Sequence, residues 1–177
     1  MLDKIFVPSS MNHEAYETRM REYYQSLKKA GIGKIIFGDI FLEDLRVFRE
    51  RLLDQCGLEA IFPLWKQESH LLAARFIKAG FKAVICSADA KYFVEPLTPS
   101  LYDKHFINSL PAEVDPCGEN GEFHTFVFDG PIFNNPVLIS TGQWVAKDYN
   151  YKITHPDGSI KPMVSRFWFQ DLSRSII

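Results

Sequence analysis

Residues 115–125 contain the densest group of side chains able to do chemistry in this sequence. Two carboxylates, an amide, an imidazole and a hydroxyl occur within its last seven residues: Glu119, Glu122, Asn120, His124 and Thr125. Gly118 and Gly121 predict a tight turn, and the strand predicted after it puts Glu122 and His124 on one face. Such a group can ligate Mg²⁺ through hard oxygens or transfer protons near neutral pH. The alternative is a structural turn whose charges are solvated.

Gly38 and Asp39 form a second candidate site, where a predicted strand leads into a helix. Open α/β sheets bind ligands outside the carboxyl ends of their strands, and a helix N-terminus attracts anions such as phosphate. Gly38 allows close approach to a ligand, and Asp39 could hold Mg²⁺ or a ribose hydroxyl; alternatively Asp39 caps its helix. Arg46 and Glu50 lie one turn apart on that helix, where an exposed ion pair is the simpler explanation.

Composition, charge and cysteine spacing exclude several classes of protein. The 177 residues carry a net charge of −2 without a basic block, which argues against a protein that binds nucleic acid or membrane surfaces. No apolar run reaches the ~20 residues of a membrane helix, and the first residues do not resemble a signal peptide. The three cysteines, Cys56, Cys86 and Cys117, form no CxxC pair and are expected to be reduced. The sequence therefore predicts a cytoplasmic enzyme or small-molecule binder.

The elements that must position these residues follow two patterns. Up to about residue 88, short apolar runs alternate with amphipathic segments, which predicts crossover connections and a mostly parallel sheet. The strands are predicted at 5–7, 34–37, 60–62 and 82–86, and the helices at about 16–30, 42–55 and 68–79. Later residues predict a short helix near 102–110, a buried strand at 122–129, strands at 137–149 and 166–172, and a turn at 155–158. The sequence thus predicts an α/β first part of the chain followed by a β-rich second part.

Several of these segments, taken together, resemble the diphthine–ammonia ligase family of PP-loop ATP pyrophosphatases. The resemblance rests on GDI at 38–40 with Arg46 and Glu50, PLW at 63–65, CGENGEFHT at 117–125 and DGPIF at 129–133. It implies an incomplete PP-loop (HUP-type) nucleotide-binding α/β domain over 1–66 and a substrate-side α+β domain over 67–177. Asn120 and His124 make the turn look more like the bacterial branch of the family.

The resemblance also implies an activity and its residues. A substrate carboxylate, on a small molecule or a protein, would attack the α-phosphate of Mg-ATP, and ammonia would then displace AMP to give an amide. Glu119, Asn120, Glu122 and His124 would be catalytic, and Gly118, Gly121 and Thr125 would border the substrate. Gly38, Asp39, Arg46 and Glu50 would bind the nucleotide, with Asp39 also a ligand of Mg²⁺.

The SGGxDS loop that gives the superfamily its name does not occur in these 177 residues. The sequence is therefore expected to correspond to the carboxyl-terminal portion of such an enzyme, with impaired use of ATP. Two alternatives remain open. The chain could be a non-catalytic ligand-binding or regulatory module, or it could pair with a second copy or with a separate PP-loop fragment through an exposed sheet edge.

Overall fold

A computed structural model describes residues 3–8, 11–97, 100–154 and 159–175. The chain separates into two compact units, Met1–Lys66 and Gln67–Ile177. The fold is α/β: one small parallel sheet occurs in the first unit, and one antiparallel sheet in the second. The more specific assignment to a PP-loop fold stays a prediction, as do the roles given to the two domains.

The first unit consists of α1 (His13–Lys29), β1 (Lys34–Ile36), α2 (Glu43–Asp54) and β2 (Glu59–Ile61). Asn12 caps α1, since its side chain accepts the N–H of Ala15 at 2.8 Å. The strands β1 and β2 pair in parallel. The core of the unit is apolar and joins the two helices to the sheet through Tyr24, Leu52, Leu53 and Leu58. Residues 5–7, predicted as a strand, are not in one, because no strand of the described chain pairs with them.

The described residues of the second unit form two helices and four strands. They are α3 (Ser69–Lys78), β3 (Lys82–Asp89), α4 (Lys104–Ser109), β4 (Phe123–Asp129), β5 (Ile139–Thr154) and β6 (Ile160–Arg174). The sheet order is β4-β3-β6-β5, with every neighbouring pair antiparallel. One apolar cluster lies against this sheet, and it includes Ile85, Phe93, Tyr102, Phe106 and Phe123.

Two further expectations about the strands are wrong. The strand β3 does not continue the parallel sheet; it pairs with β4 and β6, which come later in the chain. Its apolar run fits any strand covered on both faces, so the sequence pattern does not distinguish the two sheets. The strand β4 is an edge strand rather than a buried one, and Phe126 is 38% exposed on it. The predicted turn at 155–158 lies outside the described residues.

Candidate active site

The loop before β4 is held together by its own polar groups. Asp115 Oδ1 accepts the N–H of Cys117 at 2.9 Å and that of Glu119 at 3.3 Å. The N–H of Gly118 donates to the carbonyl of Asp115 at 2.9 Å, and the N–H of Gly121 donates to the carbonyl of Gly118 at 3.0 Å. These contacts close two successive turns, as the two glycines predict.

Glu122 lies inside this loop and is only 1% exposed. Its Oε1 accepts the N–H of Asp115 at 3.0 Å and the side-chain amide of Asn120 at 2.9 Å, and its Oε2 accepts the N–H of Asn120 at 3.0 Å. Burial alone would raise the pKa of this carboxyl, but the hydrogen bonds from Asn120 and from backbone amides outweigh it and hold the pKa below its ordinary value. Glu122 is therefore an ionised carboxylate that joins the two ends of the loop.

The loop is anchored to the rest of the second unit by two side chains. The hydroxyl of Tyr102, a buried residue, donates to the carbonyl of Pro116 at 2.7 Å. The thiol of Cys117 donates to the carbonyl of Ser69 at 3.4 Å. Burial, together with the nearby carboxylate of Asp115, raises the pKa of Cys117 to about 11. The thiol is thus protonated near neutral pH, a state that does not favour a nucleophilic role.

An open cleft of about 350 Å³ lies where the loop meets β4. Its lining consists of Cys117, Gly118, Glu119, Gly121, Phe123, His124 and Thr125. Glu119 is half-buried there, whereas His124 and Thr125 are exposed. Glu119, His124 and Thr125 therefore line one small volume, and their carboxylate, imidazole and hydroxyl are groups able to accept and donate protons.

The structure divides the predicted catalytic residues into two groups. Glu119 and His124 line the cleft, together with the predicted substrate-side residues Gly118, Gly121 and Thr125. Asn120 and Glu122 are hydrogen-bonded to each other and do not line the cleft. The sequence placed Glu122 and His124 on one strand face, but β4 begins only at Phe123, so strand alternation does not extend back to Glu122.

A β-bulge lies opposite His124. The pairing of β3 with β4 shifts between Ile85 and Ser87, so that His124 lies across from Ser87 and Cys86 is the additional residue. The Cys86 thiol donates to the carbonyl of His124 at 3.4 Å. Bulges re-aim neighbouring side chains and often occur beside functional sites. No sequence signal indicated this bulge, because it depends on the pairing of two distant strands.

The other predicted residues lie in the first unit, after the carboxyl ends of β1 and β2. The carboxylate of Asp39 is 10% exposed and forms an ion pair with Arg49: Nε lies 3.0 Å from Oδ2, and Nη2 lies 3.3 Å from Oδ1. The Arg49 guanidinium also lies over the ring of Phe37, 4.4 Å from its centroid. Asp39 does not cap α2, whose N-cap is Leu42. The sequence did not predict that Arg49 pairs with Asp39, because their ten-residue separation matches no motif.

The two carboxylate oxygens of Asp39 both face this guanidinium, so the arrangement does not suit a magnesium ion. Among the described residues, no group of three or more His, Cys, Asp or Glu side chains is placed to hold a metal ion. The role of Asp39 as a metal ligand stays a prediction without support from the geometry. At Gly38, a β-carbon would meet no atom within 4 Å.

Arg46 and Glu50 form the expected ion pair, with Nε 2.7 Å from Oε1. The structure adds an aromatic environment that the sequence did not predict. The Arg46 guanidinium lies 5.1 Å from the ring centroid of Phe62 and 4.6 Å from that of Trp65, and the two rings contact each other edge to face. Cation–π contacts of this kind hold the guanidinium in place, so Arg46 is a positioned positive charge beside two residues that follow β2.

Replacing Arg49 by methionine is expected to lower the free energy of unfolding of the chain by about 2 kcal/mol, since the largely buried carboxylate of Asp39 would lose its cation. Urea denaturation followed by circular dichroism measures the change. Lys34→Met is the matched control, because its partner Glu59 is more than half exposed and such pairs contribute little. An equal effect of the two substitutions would contradict the structural role of Arg49.

No helix of the described chain combines the length and the apolar character that crossing a membrane requires.

Comparison with known proteins identifies a family. The model of the family described as "Diphthamide synthase C-terminal domain" matches residues 68–155, which include the loop and the cleft. A diphthine–ammonia ligase of Danio rerio is 25% identical over 161 residues, covering 81% of this chain and 57% of that protein. One of Rattus norvegicus is 26% identical over 143 residues, covering 71% of this chain and 51% of that protein. The chain therefore spans about half the length of these curated relatives.

Proposed function

Because the chain belongs to the diphthine–ammonia ligase family, we propose that it takes part in ATP-dependent formation of an amide from a carboxylate and ammonia. Residues 67–177 would bind the carboxylate side of the reaction, and residues 1–66 the nucleotide side. The observation that carries the proposal is that the family match at 68–155 contains the cleft of Glu119, His124 and Thr125.

The proposed reaction has two steps. A carboxylate oxygen attacks the α-phosphorus of ATP and pyrophosphate leaves, which gives an acyl-adenylate. The nitrogen of ammonia then attacks the acyl carbon, AMP leaves, and the nitrogen loses a proton. The protein contributes mainly by positioning the reactants and by balancing charge. Mg²⁺ supplies charge neutralisation on ATP in such reactions, and no step here is assigned to it because the geometry of Asp39 does not fit it.

The cleft offers groups for the second step. The imidazole of His124 or the carboxylate of Glu119 could take the proton from the attacking nitrogen, since both residues line the cleft. Thr125 offers a hydroxyl for orienting the substrate. Glu122 and Asn120 act through the loop by keeping the backbone at 118–121 in place. They are therefore proposed as positioning residues, and the bacterial-type assignment of Asn120 and His124 stays a prediction.

On the nucleotide side, Arg46 is the group best placed to meet a phosphate. It follows the carboxyl end of a parallel strand, where α/β sheets bind ligands, and its guanidinium is held against Phe62 and Trp65. Gly38 leaves open space beside the backbone. Glu50 orients Arg46 through their ion pair, and Asp39 is proposed to orient Arg49.

Binding of an adenylate mimic to the purified chain tests the proposal. The probe is a sulfamoyl adenosine that carries an acetyl group. Its affinity for the chain is measured by isothermal titration and compared with the affinities of acetate and of AMP. We expect the mimic to bind at least about tenfold tighter than either fragment. Thr125→Trp puts a large side chain at the cleft and should weaken this binding by about tenfold or more. The control is Val94→Trp, which introduces the same side chain at an 82% exposed position that does not line the cleft, and it should leave the affinity for the mimic unchanged.

The competing outcomes are distinct. If acetate binds as tightly as the mimic, the adenosine part adds no affinity, and the chain would be a non-catalytic carboxylate-binding module instead of a ligase. Equal effects of Thr125→Trp and Val94→Trp would remove the cleft from the site. Failure of the mimic to bind at millimolar concentration would overturn the proposal.

A further inference from the structure

The strand β5 is an edge strand with an unusual length. It has 16 residues and pairs with β6 from Ile139 to Thr154. Within the part of the chain that the structure describes, it lies at the end of the sheet order and pairs on one side only. Its other side presents a row of backbone N–H and C=O groups, which is a template for a further strand.

Residues 145–153 lack two of the features that block edge pairing in natural sheets, proline and a register shift, and they contain three charged residues, Lys147, Asp148 and Lys152. They contain no proline, and the register shift of β5 lies earlier, between Thr141 and Trp144. The other edge strand, β4, differs: it has seven residues, and its pairing is interrupted by two register shifts. The open edge of β5 is therefore the better surface for pairing.

Four large apolar side chains are exposed along this edge. Val145 is 47% exposed, Tyr149 48%, Tyr151 43% and Ile153 39%. They alternate along β5 and so lie on one face of the sheet. Tyr149 packs edge to face on Phe167 with the ring centroids 5.9 Å apart, and the ammonium of Lys147 lies 5.1 Å from the ring centroid of Phe169. This face is ordered by its own contacts and still exposes apolar surface.

The order of residue types around Tyr149 is self-complementary. In an antiparallel pair of two identical strands centred on Tyr149, Val145 lies opposite Ile153, Lys147 opposite Tyr151, and Asp148 opposite Asn150. Two β-branched pairs and two cation–aromatic pairs result, and each kind stabilises sheets. A register centred on Lys147 or Asp148 would put like charges opposite each other, which is unfavourable.

We propose that a second copy of this chain binds along the β5 edge, antiparallel and with its two-fold axis at Tyr149. The interface is isologous, as in most homodimers, and it joins the two four-stranded sheets into one sheet of eight strands. This inference is independent of the proposed ligase activity, since it rests on strand pairing alone.

The mass of the full chain in solution tests the inference. Light scattering over a concentration series should approach twice the 20.4 kDa of one chain. Tyr149→Lys, which puts two cations opposite each other at the axis, should return the mass to that of one chain. Val164→Lys is the matched control: Val164 is 60% exposed on the neighbouring strand β6, so this variant should remain a dimer. Circular dichroism checks that both variants are folded.

Oxidative cross-linking tests the register and does not depend on the folding of the lysine variant. Directly opposite residues in antiparallel strands have Cβ atoms about 4.5–5.5 Å apart, close to the separation in a disulfide. Tyr149→Cys should therefore form a covalent dimer with copper–phenanthroline as the oxidant. Val145→Cys should not, because its counterpart is Ile153, and the unchanged chain is the background. A mass of one chain at every concentration, dissociation by Val164→Lys but not by Tyr149→Lys, or equal cross-linking of the two cysteine variants would overturn the inference.

Discussion

Replacing Glu122 by glutamine should lower the free energy of unfolding by about 3 kcal/mol. In the loop, both oxygens of this carboxylate accept hydrogen bonds from backbone N–H groups, and the NH₂ group of glutamine would place a donor against one of these donors. The residue is 1% exposed, so water cannot replace the lost contacts. Urea denaturation at pH 7 measures the change. Glu119→Gln is the matched control three residues away, and its effect on stability should be small because Glu119 faces the open cleft.

The pH dependence of stability separates Glu122 from other causes. Its pKa in the folded chain lies below the ordinary value of 4.5, so its contribution is complete above about pH 4.5 and is lost as the pH falls through the folded pKa. The difference in unfolding free energy between the unchanged chain and Glu122→Gln should therefore be constant near neutral pH and narrow below about pH 4.5. A difference that stays constant down to about pH 3, or a variant as stable as the unchanged chain at neutral pH, would show that the carboxylate is not an ionised acceptor.

Gly118→Ala is the second substitution with a large expected effect. Gly118 has φ +68°, and a β-carbon there would lie 2.7 Å from the carbonyl oxygen of Phe123. That oxygen belongs to the backbone at the start of β4, so it cannot turn away as a flexible side chain would. Left-handed strain and this overlap together should cost about 3 kcal/mol of folding free energy. Thermal denaturation measures the loss.

Gly121→Ala is the control for this substitution. Gly121 has φ +83°, but a β-carbon there would meet no atom within 4 Å, so only the strain remains, about 1 kcal/mol. Since both glycines line the cleft, binding of the adenylate mimic should weaken more in Gly118→Ala than in Gly121→Ala. Equal destabilisation by the two alanines would mean that the backbone at Phe123 moves to make room for the new β-carbon, so that its carbonyl oxygen does not restrict residue 118.

Local patterns predicted much of the secondary structure. The three longer helices and the strands at 34–37, 60–62, 82–86 and 122–129 lie within a few residues of their predicted bounds, since apolar periodicity and helix-stop glycines act over a few residues. The strands β5 and β6 are longer than predicted, 16 and 15 residues. Their outer parts stabilise each other by cross-strand pairing, which a single segment does not reveal.

The densest cluster of chemical groups was also visible in the sequence, because turn glycines and polar side chains lie close together along the chain at 115–125. The sequence did not distinguish the two acids of the cluster. Glu119 faces a cleft whereas Glu122 is buried, and this difference depends on the packing of Tyr102 and Phe123 against the loop.

The sequence by itself determined the residue types of the candidate site, the family and the bounds of most elements, since these depend on short-range order along the chain. The tertiary structure decided which side chains are buried, which ions are paired and which strands are neighbours. The pairing of Asp39 with Arg49 and the placement of β3 between β4 and β6 are two such results. They could not be predicted because each depends on contacts between distant segments, whose energies come from exclusion of water and from geometry that forms only when the chain folds.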